Sequence, residues 1–160
     1  MKRIKGVEQP LESKSIKKKP GYPILKNFPR GYPSLRRAYL MTKSVSQVGF
    51  DWPDISGVLD KLDEEMKEFK EALTLSHRKR ICEEIGDLLF VLANIARFLR
   101  IDPEEALNKT LEKFTKRFNY IETTLRKKGK TLQESNLIEM NRLWEEAKRR
   151  KDGSKRFREK

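Results

Sequence analysis

Residues 88–99, LLFVLANIARFL, are apolar at every position except Asn94 and Arg97. The run is well short of the ~18 apolar residues that would suggest a membrane span. Read as a helix over about 77–100, it is apolar on nearly every face, and such a helix is buried. It therefore needs neighbours on several sides, and the rest of the chain has to supply them. It also follows directly on three acids, Glu83, Glu84 and Asp87, which is an unusual prelude to a buried segment.

The neighbours are legible as further helices. Ile55, Val58, Leu59, Leu62, Met66, Phe69 and Leu73 recur at spacings of three and four, one stripe of a helix over about 54–73 that Asp54 caps. Ser34 caps a first helix over about 34–47. In "DPEE", Asp102 is an N-cap, Pro103 takes the first helical position and Glu105 completes a capping box, so a fourth helix runs to about 126. Gly129 ends it, and Thr131 with Glu134 starts a last helix to about 150. No strand pattern or internal repeat appears. The expected architecture is an all-α helical bundle over residues 34–150. Before it lies a basic, proline-containing arm or linker, residues 1–33, holding five of the seven prolines. A basic tail, residues 151–160, follows.

Net charge is +13 over 160 residues, spread as +9 over residues 1–40, −3 over 41–125 and +7 over 126–160. Basic ends attract polyphosphates or nucleic acid, or they simply solubilise; a specific nucleic-acid role is the less favoured reading. The arm reads as dispensable for chemistry. No secretory signal or transmembrane span is evident. The single cysteine, Cys82, rules out an intrachain disulfide, fits a reducing cytoplasm and reads as an inert buried thiol.

Glu65 and Glu68 lie three apart on the second helix, and Glu84 and Asp87 three apart on the third. Each pair shares a face, interleaved with apolar residues. In an antiparallel hairpin the four carboxylates would converge at the edge of the core, which is costly unless compensated. A hard divalent cation compensates them: Mg²⁺ binds through carboxylates and substrate phosphates, with Mn²⁺ as a substitute ion. The plainer reading is a wet face of i,i+4 ion pairs. A di-iron site would need Glu-x-x-His, and the only histidine, His77, has no acid three residues before it; it reads as a helix start. Lys113 and Arg117 share a face of the fourth helix, with Phe114, Phe118 and Ile121 pointing inward. They would grip phosphate oxygens or form a solvated basic face. Asn94, seven residues after Asp87, would hydrogen-bond a base or sit buried against a neighbouring helix. Trp144 would stack on a base or pack in the core.

The pieces VGFDWP (48–53), KLDEEMKEFKEA (61–72), EEIGDLLFVLANIAR (83–97), IDPEEALNKTLEKFTKRFNYIE (101–122) and LWEEAK (143–148) together resemble the MazG family of nucleoside triphosphate pyrophosphohydrolases. They keep the family's order over most of residues 29–149. The resemblance implies a helical bundle completed by a second subunit, a homodimer, and hydrolysis of a nucleoside triphosphate to monophosphate and pyrophosphate with Mg²⁺. Carried over by motif position, it implies Glu65, Glu68, Glu84 and Asp87 as metal ligands. Lys61, Glu64, Arg80 and Glu83 would flank the nucleotide, Lys113 and Arg117 would hold phosphates, and Trp144 would lie near the nucleotide. Glu64 is a candidate acceptor of the water's proton. Many members carry two such domains in tandem, and residues 28–52 resemble the segment leading into the second. The competing expectations are a dUTP- or dCTP-selective pyrophosphatase, a phosphoribosyl-ATP pyrophosphohydrolase, and a non-enzymatic nucleic-acid-binding or scaffold bundle.

Overall fold

The computed structural model describes residues 24, 25 and 31–155, the last five by their backbone alone. Most of the expected arm, with Tyr22 and Phe28, therefore lies outside the described residues, as do the side chains of the tail. Among the described residues there are five α-helices and no strand: α1 Ser34–Ser46, α2 Ile55–Thr74, α3 Arg78–Phe98, α4 Pro103–Lys127 and α5 Leu137–Lys155. Backbone contacts group the described residues up to Glu105 as one compact unit and those from Ala106 as another.

In the first unit α3 packs against α2 and α1. The α2–α3 connection is only Leu75–His77, which forces an antiparallel hairpin. Asp54 caps α2 by accepting from the Ser56 amide at 2.8 Å. The His77 Nδ1 accepts from the Arg80 amide at 3.3 Å, so the histidine is the helix start that the sequence indicates. The Asp102 carboxylate accepts from the Glu104 amide at 2.9 Å and pairs with Arg36 of α1, which anchors the first turn of α4. Ser34 does not cap α1: Pro33 occupies that position and no side chain serves.

Burial corrects the picture of α3. Its buried residues are Glu84, Val91, Ala93 and Asn94; Glu84, Val91 and Asn94 form a stripe at spacings of seven and three, and Ala93 is buried on the opposite side near the helix end. Leu89, Phe90 and Leu92 point off that stripe and remain exposed. The segment is apolar all round, but α1 and α2 cover only part of it. Cys82 is also exposed rather than buried. It lies two residues, ~200° of helix, from Glu84 and so on the far side of the stripe.

In the second unit Ile121 and Leu125 of α4 pack with Leu143 of α5, flanked by Phe118, Leu132, Met140 and Trp144. Phe118 is half-buried there, and Phe114 is exposed rather than inward-facing. Gly129 takes φ +70° after α4, the left-handed turn that glycine permits. The last helix begins later than its capping box suggests. Thr131 and Glu134 do form the reciprocal box, at 2.8 and 3.3 Å, but it closes a turn. Asn136 caps α5, accepting from the Glu139 amide at 2.9 Å.

Candidate functional site

The α2–α3 hairpin brings Glu65, Glu84 and Asp87 together, each offering an oxygen within 4.8 Å of the others. The register explains this. With the turn centred near Ser76, Glu65 lies level with Asp87, and Glu68 level with Glu84. Glu65 and Glu84 are each only 6% exposed. Glu68 is half-buried one turn along α2 and is not part of the close group. The four-acid set is thus three acids in mutual reach plus one neighbour.

Two cations already answer part of this charge. Lys61 Nζ lies 2.8 Å from both Glu64 and Glu65. These hydrogen bonds, to Glu64 first, hold the Lys61 ammonium above the ordinary lysine range. Arg80 donates Nε–H to Glu84 Oε1 at 3.3 Å. The other oxygen of Glu84, Oε2, is buried and has no hydrogen-bond partner among the described residues. Partial shielding from solvent, then the charges of Glu65 and Glu84, push the Asp87 carboxyl above its usual range. Asp87 as a residue stays exposed, so the cluster has an open side. A buried acceptor without a donor costs roughly 1–3 kcal/mol, more when charged, and the Asp87 carboxyl beside it is raised by shielding first and by its acidic neighbours second. An oxygen-preferring divalent cation corrects both defects, so the donor set fits one. Glu83, exposed, faces Lys79 at 3.8 Å instead.

Further along the α3 stripe, buried Asn94 accepts from Arg97 Nε at 2.7 Å, which leaves its amide N–H₂ as the donor end. The partner lies on its own helix, not on a neighbouring one. Arg97 in turn holds both oxygens of Asp51 at 2.6 and 2.8 Å. This pair ties the GFDWP turn to α3 and has no counterpart in the sequence reading. The available signal was an arginine inside an apolar segment, which is seldom buried unpaired. Beside it, Trp52 lies directly on Gly57 in the first turn of α2.

The second unit carries the other candidates. The Arg117 guanidinium lies 5.4 Å from the centroid of the Trp144 ring. Phe114 meets the same ring at 5.3 Å and stacks on Phe118 at 6.1 Å. Trp144 is half-buried on the Leu143 cluster, so its packing role is evident. Lys113 and Arg117 line a cavity of about 240 Å³ between α4 and α5.

Residues 55–121 match the MazG nucleotide pyrophosphohydrolase domain family. The match holds α2, α3 and most of α4, with all three clustered carboxylates. The chain belongs to the MazG family. The nucleoside triphosphate pyrophosphohydrolase/pyrophosphatase MazG of Thermotoga maritima is 44% identical over 116 residues, 72% of this chain and 44% of that protein. The nucleoside triphosphate pyrophosphohydrolase of Escherichia coli is 33% identical over 141 residues, 87% of this chain and 54% of its own length. The uncharacterized protein YabN of Bacillus subtilis is 49% identical over 72 residues, 45% of this chain and 15% of that one. The chain spans about half the length of the first two. Within the MazG match lie Lys61, Glu64, Glu68, Arg80, Glu83, Asn94, Lys113 and Arg117; Trp144 lies beyond it.

Proposed function

We propose that this MazG chain hydrolyses nucleoside triphosphates to nucleoside monophosphate and pyrophosphate, with Mg²⁺, or Mn²⁺ in its place, held by Glu65, Glu84 and Asp87. The observation that carries the reading is the unpartnered, buried Oε2 of Glu84 inside a group of three carboxylates. Glu68 supplies a fourth carboxylate from one turn further along α2. A divalent cation bound there would neutralise phosphate charge and activate water as a Lewis acid.

The chain's own residues do the rest. Lys61 and Arg80 hold Glu65 and Glu84 in place, in the positions a ligand set needs. Glu64 is the exposed partner of Lys61 and accepts the water's proton. Glu83, exposed on the same turn of α3 as Glu84, flanks the nucleotide. Lys113 and Arg117 stabilise the departing pyrophosphate, whose charge rises as the bond breaks. Asn94, its carbonyl committed to Arg97, offers donors to an acceptor on the base or sugar. Trp144 contributes ring surface near the base.

The active form in this reading is a cytoplasmic homodimer. Ile85, Leu89, Phe90 and Leu92 of α3 are exposed, and Phe50 on the turn between α1 and α2 is 79% exposed. Exposed aromatic and aliphatic surface of this kind marks an interaction site, and a second copy of the chain is the partner in this reading. No helix among the described residues is long and apolar enough to cross a membrane. Turnover of a panel of ribo- and deoxyribonucleoside triphosphates with Mg²⁺ tests the activity, and light scattering in moderate salt tests the dimer. No turnover with any of them would contradict the first, and a monomer at micromolar concentration the second.

A further inference from the structure

The cavity between α4 and α5 has a composition that substrate contacts from Lys113 and Arg117 do not exhaust. It is lined by Lys113, Lys116, Arg117, Tyr120, Ala147 and Arg150. Four of the six are cations and none is an acid. Lys116 reaches Glu112 only at 3.9 Å, between two exposed side chains. Among the described residues no carboxylate pairs with Lys113, Arg117 or Arg150.

The two arginines come from different helices and are positioned alike. Arg117 of α4 lies over Trp144 of α5, and Arg150 of α5 lies over Tyr120 of α4 at 4.7 Å from the ring centroid. Tyr120 is itself fixed, donating its hydroxyl to Glu146 at 3.2 Å. A cation–π contact restrains the guanidinium over the ring, and a guanidinium offers paired N–H groups to phosphate oxygens. A cavity of about 240 Å³ falls below the range for a drug-sized ligand. Its four cations, rather than its size, point to an anionic ligand.

We propose that Arg150 completes, with Lys113 and Arg117, a metal-independent polyphosphate-binding groove that grips the phosphate tail of the substrate and retains pyrophosphate. The substrate half of this rests on the function proposed above; the anion-binding half does not. Calorimetric titration of the full chain with inorganic pyrophosphate, in EDTA and moderate salt, tests the groove without turnover. Arg150→Gln should weaken binding about tenfold or more, as expected for loss of a charge-assisted hydrogen bond. Arg150→Lys should recover part of it. Arg149→Gln, next in sequence and bonded to the Glu145 carbonyl, should leave it unchanged.

With triphosphate and Mg²⁺, Arg150→Gln should raise KM and relieve inhibition by added pyrophosphate, with kcat little changed. Wild-type pyrophosphate binding in Arg150→Gln would overturn the groove. Equal losses in Arg149→Gln and Arg150→Gln would overturn it too, since that is diffuse charge attraction. A chain that binds pyrophosphate through Arg150 yet hydrolyses no triphosphate would keep the groove and overturn the function. One that hydrolyses triphosphates with an Arg150-independent KM would keep the function and overturn the substrate half of the groove.

Discussion

The carboxylates of Glu65 and Asp87 meet across the α2–α3 hairpin within 4.8 Å, and Asp87 is held above the usual carboxylate range. The sign of the consequence is fixed. A carboxyl whose folded pKa is raised destabilises the folded chain when ionised, and that cost is relieved as pH falls through the raised value. In the metal-free protein Asp87→Asn should therefore leave Tm unchanged or raise it at neutral pH. The gain should shrink as pH falls. The same variant should lose the Tm increase that Mg²⁺ gives the wild type, and lose turnover. Thermal melts with EDTA and with Mg²⁺ check all of these. A large metal-free destabilisation would show that Asp87 serves the fold.

Arg97 and Asp51 should behave as a structural clamp. Their double hydrogen bond joins residues 46 apart, and Arg97 is 11% exposed. Arg97→Ala strands Asp51 and frees the Asn94 carbonyl, at a cost of about 2–4 kcal/mol. Asp51→Ala and the double variant complete a cycle in urea unfolding. Coupling near zero would mean that the pair is decorative.

Gly57→Ala should destabilise despite favouring the helix. Alanine gains up to about 1 kcal/mol in helix propensity. Its Cβ would overlap the Trp52 ring, so the indole has to move, and overpacking of this kind costs about 1–3 kcal/mol. The check is a shift of tryptophan emission towards the solvated wavelength together with a lower Tm. An unchanged spectrum would show that the ring is free to move.

Acid should loosen the α4–α5 connection early. Hydrogen bonding to Lys130 first, then to Ser135, holds the Glu139 carboxyl below its ordinary value. Glu134 is held low in the same way, by the Thr131 amide and then its hydroxyl. A depressed carboxylate stabilises above its unfolded pKa and loses that contribution as pH falls through the folded one. Amides of residues 128–136 should become less protected from hydrogen exchange below the ordinary glutamate range, and Glu139→Gln should show much of that loss at neutral pH. Equal protection in wild type and variant at neutral pH would contradict it.

How far the sequence reached depends on the range of the interaction. α2, α3 and α4 were legible because their stripes and caps are local: Asp54, His77 and Asp102 all act within three residues. The start of α5 was misplaced because the Thr131–Glu134 box satisfies the same backbone groups in a turn as in a helix. The acid pairs were legible as helix faces. That three acids would close up and Glu68 stand one turn away depends on the register set by the Leu75–His77 connection, and spacing within a helix does not encode it. The exposure of Cys82 and Leu89 follows from which side of α3 its neighbours leave uncovered. Apolar composition alone cannot show that. The Asp51–Arg97 pair and the Arg150–Tyr120 stack join distant positions and became visible only once the helices were placed.

The most direct test of the proposed chemistry is the identity of the first products. A nucleoside triphosphate incubated with the chain and Mg²⁺ should yield nucleoside monophosphate and pyrophosphate in equal amounts, with no diphosphate appearing at early times. Glu84→Gln, which removes the charge on the buried oxygen that lacks a partner, should abolish both products while the chain stays folded. Early release of nucleoside diphosphate and orthophosphate, or wild-type product formation by Glu84→Gln, would contradict the account.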